Sequence, residues 1–324
     1  MRIAYFDCFN GASGDMILGA LIDAGLSVDR LRKSLGGLKL AGYAIRADKV
    51  IKQGLAATRF CVEVAADADQ PHRHLSDIRA ALQAGDLADS VKANALRIFE
   101  RLAEAEARAH GTTVDKVHFH EVGAVDAIVD VVGAAIGLDA LGVERVMCSA
   151  IPVGSGVIRC DHGEMPVPAP ATAILLENVP IAASSERFEL TTPTGAAILT
   201  TLAEAFGPMP AMTSDAVGCG AGQREGQARP NILRVLLGQA ADTTAEPDDA
   251  DDEVAVLEAN VDDATAETIG YACERLLSAG ALDVYCTPIV MKKNRPAVKV
   301  TVLCQPGAVE TMESLLFAET ASRL

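Results

Sequence analysis

Six histidines occur in this chain, and four of them fall into two short runs, His72-x-His74 and His118-x-His120. Side chains two apart on a strand share a face, so each run would present two imidazoles to one point. Glu121 follows the second run directly, and Asp126 and Asp130, spaced i,i+4, share one face of the next helical segment. Imidazole nitrogens beside carboxylates suit Ni, Zn, Co or Cu better than Ca or Mg. Metal handling by His72, His74, His118, His120 and Glu121 is therefore the first chemistry the sequence offers, with two surface or structural pairs as the alternative.

A second group lies in DCFNGASGD, from Asp7 to Asp15, between a strand-like and a helix-like run. Its glycines permit tight turns, the N–H groups opening the helix can hold an anion, and Asp7 and Asp15 flank the loop where open α/β sheets place ligands. The competing reading is a turn capped by Ser13 or Asp15. ELTTPTG, from Glu189 to Gly195, offers three Thr hydroxyls and another helix start. The three prolines between Pro166 and Pro170 stiffen the approach to a helix behind His162, and GCGAG, from Gly218 to Gly222, reads as a flexible turn.

A third group is Lys292-Lys293-Asn-Arg295-Pro, between two strand-like runs, in a region that also carries Asp262 and Asp263. Clustered cations in an acidic protein point to an anion such as a triphosphate, and the two aspartates could hold its Mg²⁺ or Mn²⁺. A solvated hairpin loop with a helix cap is the alternative.

These residues need a scaffold, and 324 residues are enough for about two domains. Half of the residues are hydrophobic and only 4% aromatic, so the core is aliphatic. Strand-like and helical runs alternate up to residue 238: Arg2–Cys8 then Met16–Ala24, Phe60–Val64 then Leu75–Ala84 and Ser90–His110, Lys116–His120 then Ala124–Leu141, Arg145–Ile151 then Pro170–Leu176. That alternation predicts an α/β domain over 1–238. Residues 239–253, QAADTTAEPDDADDE, hold seven acidic and no basic residues and read as a linker. Residues 254–324 read as β-α-β-β-α, a ferredoxin-like unit lacking its last strand, which suggests a truncated chain or a strand supplied by a neighbour. The expected fold class is thus α/β (α+β), a large N-terminal domain joined by an acidic linker to an incomplete smaller one.

A net charge of −16 argues against nucleic acid and anionic membranes as partners. Eight scattered cysteines without a C-x-x-C pair look like reduced thiols, and no apolar run is long and uncharged enough to span a bilayer. A cytoplasmic location follows.

Taken together, YFDCFNGASGDM, HRHLSDI, HFHEVGAVDAIVD, HGEMPVPAPAT, ELTTPTGAA, GCGAG and ANVDDATAETIGY with GALDVYCTPIVMKKNRP resemble the LarC family of nickel-insertion proteins over nearly the whole chain. The resemblance implies a CTP-dependent cyclometallase of the lyase class. Such an enzyme inserts nickel into pyridinium-3,5-bisthiocarboxylic acid mononucleotide, forming Ni–S and Ni–C bonds, for enzymes of the lactate racemase type. It also implies CTP binding with a divalent ion in the C-terminal domain. On that basis the five His and Glu residues deliver Ni²⁺, Asp7 and Asp15 lie near the reacting substrate, Lys292, Lys293 and Arg295 bind CTP phosphates, and Asp262 and Asp263 bind Mg²⁺ or Mn²⁺. Further expected partners are a client apoenzyme and a second copy of the chain. The rival readings are a nickel chaperone without nucleotide chemistry and an H-x-H metal-dependent hydrolase.

Overall fold

The structure is a computed structural model, and it describes residues 1–38, 40–65, 73–117, 119, 123–160, 163–241 and 253–320. The chain divides into two compact units, Met1–Asp242 and Thr243–Leu324. The acidic residues 242–252 lie outside the described residues.

In chain order the first unit contains β1 (Arg2–Asp7), α1 (Gly14–Asp23), α2 (Val28–Gly36), β2 (Tyr43–Lys52), β3 (Leu55–Val64), α3 (Leu75–Ala84) and α4 (Asp89–Ala109). There follow α5 (Val125–Ala140), β4 (Arg145–Cys148), β5 (Ile151–Pro152), β6 (Val157–Cys160), β7 (Gly163–Pro166), α6 (Pro170–Leu175) and β8 (Ile181–Ala182). The unit closes with α7 (Pro193–Leu202), β9 (Ala203–Phe206), β10 (Met212–Ala221) and β11 (Ile232–Ala240). Seven of these strands form one mixed sheet in the order β2-β3-β10-β11-β1-β4-β9. The neighbours β1/β4, β4/β9 and β3/β10 run parallel, and the other pairs antiparallel.

Alternation of strands and helices foretold the α/β character, but four sequence expectations need correction. A strand was expected only over Phe60–Val64; Leu55–Val64 instead pairs with Tyr43–Lys52 as a full hairpin. Its turn is Gln53-Gly54, both with positive φ, the arrangement that matches the right-handed twist of the flanking strands. Within the expected strand Lys116–His120, Lys116 ends a 3-10 turn over Val114–Lys116 and Phe119 makes an isolated bridge, while His118 and His120 lie outside the described residues. The run Arg145–Ile151 divides into β4 and β5, which pair with different strands. GCGAG is no turn: Gly218 and Gly220 sit inside β10 with α1 pressed on them. A Cβ at Gly220 would lie 1.8 Å from the Met16 carbonyl oxygen, and one at Gly218 2.1 Å from that of Ala20. Alternate glycines on a strand clear one face, and here that face takes a helix backbone.

Helix α1 packs on β3 and β10 and against α5, while α4 packs on α5, α6 and α7. Helix α5 is apolar nearly all round, with Val, Ile, Ala and Leu at successive buried positions, as a helix at the centre of a helical layer must be. Gly133 and Gly137 let it approach Leu18, Leu21 and Leu26 closely. No described helix is long and apolar enough to cross a membrane.

The second unit contains β12 (Ala255–Val261), α8 (Ala266–Ser278), β13 (Asp283–Met291), β14 (Arg295–Cys304) and α9 (Val309–Thr320). The observed order is β-α-β-β-α, with β14 central in an antiparallel sheet β12-β14-β13. Leu276, Met312 and Leu316 of the helices pack on Val300, Val302 and Cys304 of β14. Thr265 caps α8 by accepting a hydrogen bond from the Thr268 N–H.

Candidate functional site

Two loops meet at the start of α1. Ala12 N–H donates to the Leu190 carbonyl and Thr192 N–H donates to the Ala12 carbonyl, each at 3.0 Å, so Ala12 and Thr191 pair as a parallel bridge. Gly11, at φ 109°, makes this possible, since a Cβ there would stand 2.1 Å from the Leu190 oxygen. The bridge aligns the N-termini of α1 and α7, and α5, packed against α1, brings its own first turn to the same place.

A cavity of about 620 Å³ opens there. Its lining includes Asp15 of α1, Asp126 and Asp130 of α5, Thr192 and Thr194 around the start of α7, Arg59 and Cys61 of β3, and Gln223, Arg224 and Asn231 of the loop before β11. The i,i+4 spacing of Asp126 and Asp130 delivers both to the cavity.

Asp15 Oδ1 accepts from the Ser13 hydroxyl and, at 2.8 Å, from the Met16 N–H; Oδ2 accepts from Gln223 at 3.4 Å. Burial pushes its carboxyl above the ordinary range, against the pull of these hydrogen bonds. Burial, then the charges of Asp15 and Asp126, drive the Asp130 carboxyl well above that range. The Asp130 Oδ1 atom is inaccessible to solvent and has no hydrogen-bond partner among the described residues. Burial also raises the Cys61 thiol, which keeps it neutral.

The loop carrying Arg224 is pinned through its backbone. Lys52 and Asn231 donate to the Arg224 carbonyl, Gln53 to that of Gly226, and Asn10 to that of Arg229. Buried Glu186 accepts from the N–H groups of Gln227, Ala228 and Arg229 at 2.9–3.3 Å. Burial alone would raise the Glu186 carboxyl, yet these donors hold it below the ordinary value. The Arg224 guanidinium itself lies 5.8 Å from the Phe188 ring centre.

Of the two aspartates expected near a substrate, Asp15 lines the cavity, whereas Asp7 is ion-paired with Arg234 at 2.6 Å and is not part of the lining. Of the histidine and glutamate set, His72, His118, His120 and Glu121 lie outside the described residues. His74 is the N-cap of α3; its N–H donates to Asp77 Oδ2 at 2.9 Å, and its Nδ1 stands 3.1 Å from the Val117 carbonyl. Arg73 and Phe119, the middle residues of the two His-x-His runs, pair as an antiparallel bridge. Among the described residues no group of three or more His, Cys, Asp or Glu side chains is placed to hold a metal. His162, on the proline-stiffened loop, also lies outside the described residues.

In the second unit Lys292 and Lys293 occupy the 3-10 turn between β13 and β14, Lys293 at φ 61°. Arg295 Nη1 is 3.7 Å from Asp262 Oδ2, so the cationic loop adjoins the acidic pair after β12. All five of these residues are exposed.

Sequence reasoning passed over Arg59, Arg224, Gln223 and Asn231, because single residues of these types carry no spacing signal. Asp126 and Asp130 were visible as a pair but were not given a site.

A family model described as nickel insertion protein matches residues 4–323. Relatives named for nickel insertion are 48% identical in Geobacter sulfurreducens, over 99% of this chain and 82% of the relative, and 48% identical in Rhodopirellula baltica, over 99% and 81%. A third, from Roseiflexus castenholzii, is 49% identical over 99% of this chain and 80% of its own length. Among solved structures, the chain is similar to the C-terminal domain of a cyclometallase involved in the synthesis of the NPN cofactor of lactate racemase, in its apo form. That likeness is 49% identical over 21% of this chain and 46% of the other, with a TM-score of 0.21.

Proposed function

The chain belongs to the nickel insertion protein family, and from that premise we propose that it is a CTP-dependent cyclometallase of nickel-pincer cofactor synthesis. Its substrates are Ni²⁺, CTP and pyridinium-3,5-bisthiocarboxylic acid mononucleotide, it acts as a lyase in the cytoplasm, and its product serves a client apoenzyme of the lactate racemase type.

The observation that carries the nickel role is the bridge between Arg73 and Phe119. A bridge places facing residues about 4.5–5.5 Å apart between Cα atoms, so Arg73 and Phe119, the middle residues of the two His-x-His runs, face each other. On this reading His72, His74, His118, His120 and Glu121 deliver nickel, a borderline cation that imidazole binds and exchanges. Asp15 stands beside the reacting substrate, and Asp7 supports the same loop through its ion pair with Arg234. Lys292, Lys293 and Arg295 take the phosphates of CTP. Asp262 and Asp263 supply adjacent hard oxygen donors, the ligand type that Mg²⁺ or Mn²⁺ prefers beside a triphosphate.

The test is reconstitution: full-length protein, Ni²⁺, Mg²⁺ or Mn²⁺, CTP and the thiolated mononucleotide, followed by assay of lactate racemase activation and of pyrophosphate. Activation that requires CTP is expected. Stoichiometric nickel binding without pyrophosphate release would make the protein a nickel chaperone instead. Replacing both His118 and His120 by Ala lowers nickel affinity in calorimetry; an unchanged titration would return that pair to a structural role.

A further inference from the structure

Cys273 of α8 and Cys286 of β13 place their sulfur atoms 3.8 Å apart. Two periodicities bring them together. Cys273 follows Ile269 by four residues and precedes Leu276 by three, so it shares the helix face that those buried residues turn to the sheet. Cys286 lies opposite Val300 of β14, and facing residues of an antiparallel pair point to one side, so it shares the sheet face on which the helices pack. The pair therefore sits where α8 rests on β13, at the margin of the small core, with Cys273 half-buried and Cys286 exposed.

A second sulfur pair provides the contrast. Cys8 and Cys148 stand 3.5 Å apart in the first unit, but both are buried and shielded from an oxidant in solution. The hydrogen bond to Cys8, and then burial, raise the Cys148 thiol well above its ordinary value, and the thiolate is the reactive form. Similar spacing thus comes with opposite access. In the second unit burial pushes the Cys273 thiol up to about 11, and the neighbouring Cys286 thiol adds to the rise. Cys286, in contact with solvent, is the sulfur that an external reagent meets first.

We propose that Cys273 and Cys286 form a reversible redox site whose co-reactant is a low-molecular-weight disulfide such as oxidised glutathione. The Cys286 thiolate attacks one glutathione sulfur; the glutathione S–S bond breaks, a mixed disulfide forms and one glutathione leaves as thiolate. Cys273 then gives up its proton to solvent and attacks the Cys286 sulfur. The mixed disulfide breaks, the Cys273–Cys286 bond forms and the second glutathione leaves. Two protein thiols are oxidised, one glutathione disulfide is reduced to two thiols, and the protons that the cysteines release balance those that the glutathiones take up. Exposed disulfides are the labile ones that a thiol pool reopens, so the bond is reversible. It joins residues 13 apart and ties α8, which follows Asp262 and Asp263, to β13, which runs into Lys292 and Lys293. The site goes beyond the nickel-insertion reading and does not depend on it.

For the test, the full chain is reduced, incubated with oxidised glutathione, unfolded in N-ethylmaleimide and digested with trypsin without reductant. Trypsin cuts after Arg275, between the two cysteines, so their disulfide appears in mass spectrometry as two joined peptides. Joined peptides are expected in the wild type, and dithiothreitol should separate them. Cys273→Ser should stop at glutathione on Cys286, and Cys286→Ser should leave Cys273 to N-ethylmaleimide. Cys8 and Cys148 should carry N-ethylmaleimide throughout.

A wild-type chain that keeps glutathione on Cys286 without a link to Cys273 would overturn the site. So would a link between Cys8 and Cys148 that forms before the one between Cys273 and Cys286. Equal glutathione uptake by the remaining cysteine in the two serine variants would make them independent surface thiols.

Discussion

The carboxylate of Asp130 fills the space that any side chain at residue 14 would need: a Cβ built on Gly14 stands 2.4 Å from Asp130 Oδ2. Helix α1 begins at Gly14, so the glycine lets its N-terminus close directly onto α5. Gly14→Ala therefore pushes Asp130 away, at a cost of roughly 1–3 kcal/mol by denaturant unfolding. The penalty should shrink in the Gly14→Ala/Asp130→Ala pair, and strict additivity of the two changes would contradict the contact.

Asp130 also gives the protein a pH signature. Its carboxyl holds a proton more firmly in the folded chain than in the unfolded one, because of burial and then the charges of Asp15 and Asp126. Folding therefore loses stability as pH rises from the ordinary carboxylate value through the raised folded value. Asp130→Asn removes that loss. The variant should melt higher than wild type at neutral pH and match it near pH 4, while losing cofactor formation. A melting difference independent of pH would contradict this account.

Glu186 behaves in the opposite sense. Burial alone would raise it, but the N–H donors of Gln227, Ala228 and Arg229 hold its folded value below the ordinary one. Its stabilisation is present above about pH 4.5, the reference value for glutamate, and is lost as pH falls through the lowered folded value. Glu186→Gln should cost roughly 1–3 kcal/mol at neutral pH, since an amide cannot accept all of these hydrogen bonds. It should also lose less stability than wild type on acidification, as measured by thermal melts from pH 6 to pH 3.

The two units give separable binding defects. The Lys292→Ala/Lys293→Ala variant should raise the KM for CTP about tenfold and leave nickel affinity at the wild-type level. The loss should be larger at low salt than at high salt, because both lysines are solvent-exposed. A shift in nickel affinity in this variant would contradict the division of labour.

How far the sequence reached depends on the physical signal at each place. Helix α5 was visible because a long apolar run closed by small residues has one stable outcome, and α3 and α8 because their apolar spacing is regular. Hairpin β2–β3 was half-missed, since Arg46, Asp48 and Lys49 dilute the alternation of β2. Gly218 and Gly220 misled for a definite reason: glycine marks both turns and close backbone contacts, and only the tertiary fold distinguishes the two. The loops at Gly11 and Thr192 could be singled out from composition, but the bridge from Ala12 to Thr191 is a long-range pairing that no local pattern encodes. Arg59 and Arg224 reach one cavity from places 165 residues apart, which leaves no signature in either neighbourhood.

The 222–231 loop is held through the carbonyls of Arg224, Gly226 and Arg229, the N–H groups of residues 227–229 and the side chains of Gln223, Glu225 and Asn231, and no hydrogen bond among the described residues uses the side chain at 224. The side chain at 224 is therefore a passenger on a fixed mount. A protein engineer could fit a carboxylate, an amide or an aromatic ring at that one position and retune what the cavity accepts, with the loop acting as a socket for interchangeable recognition heads.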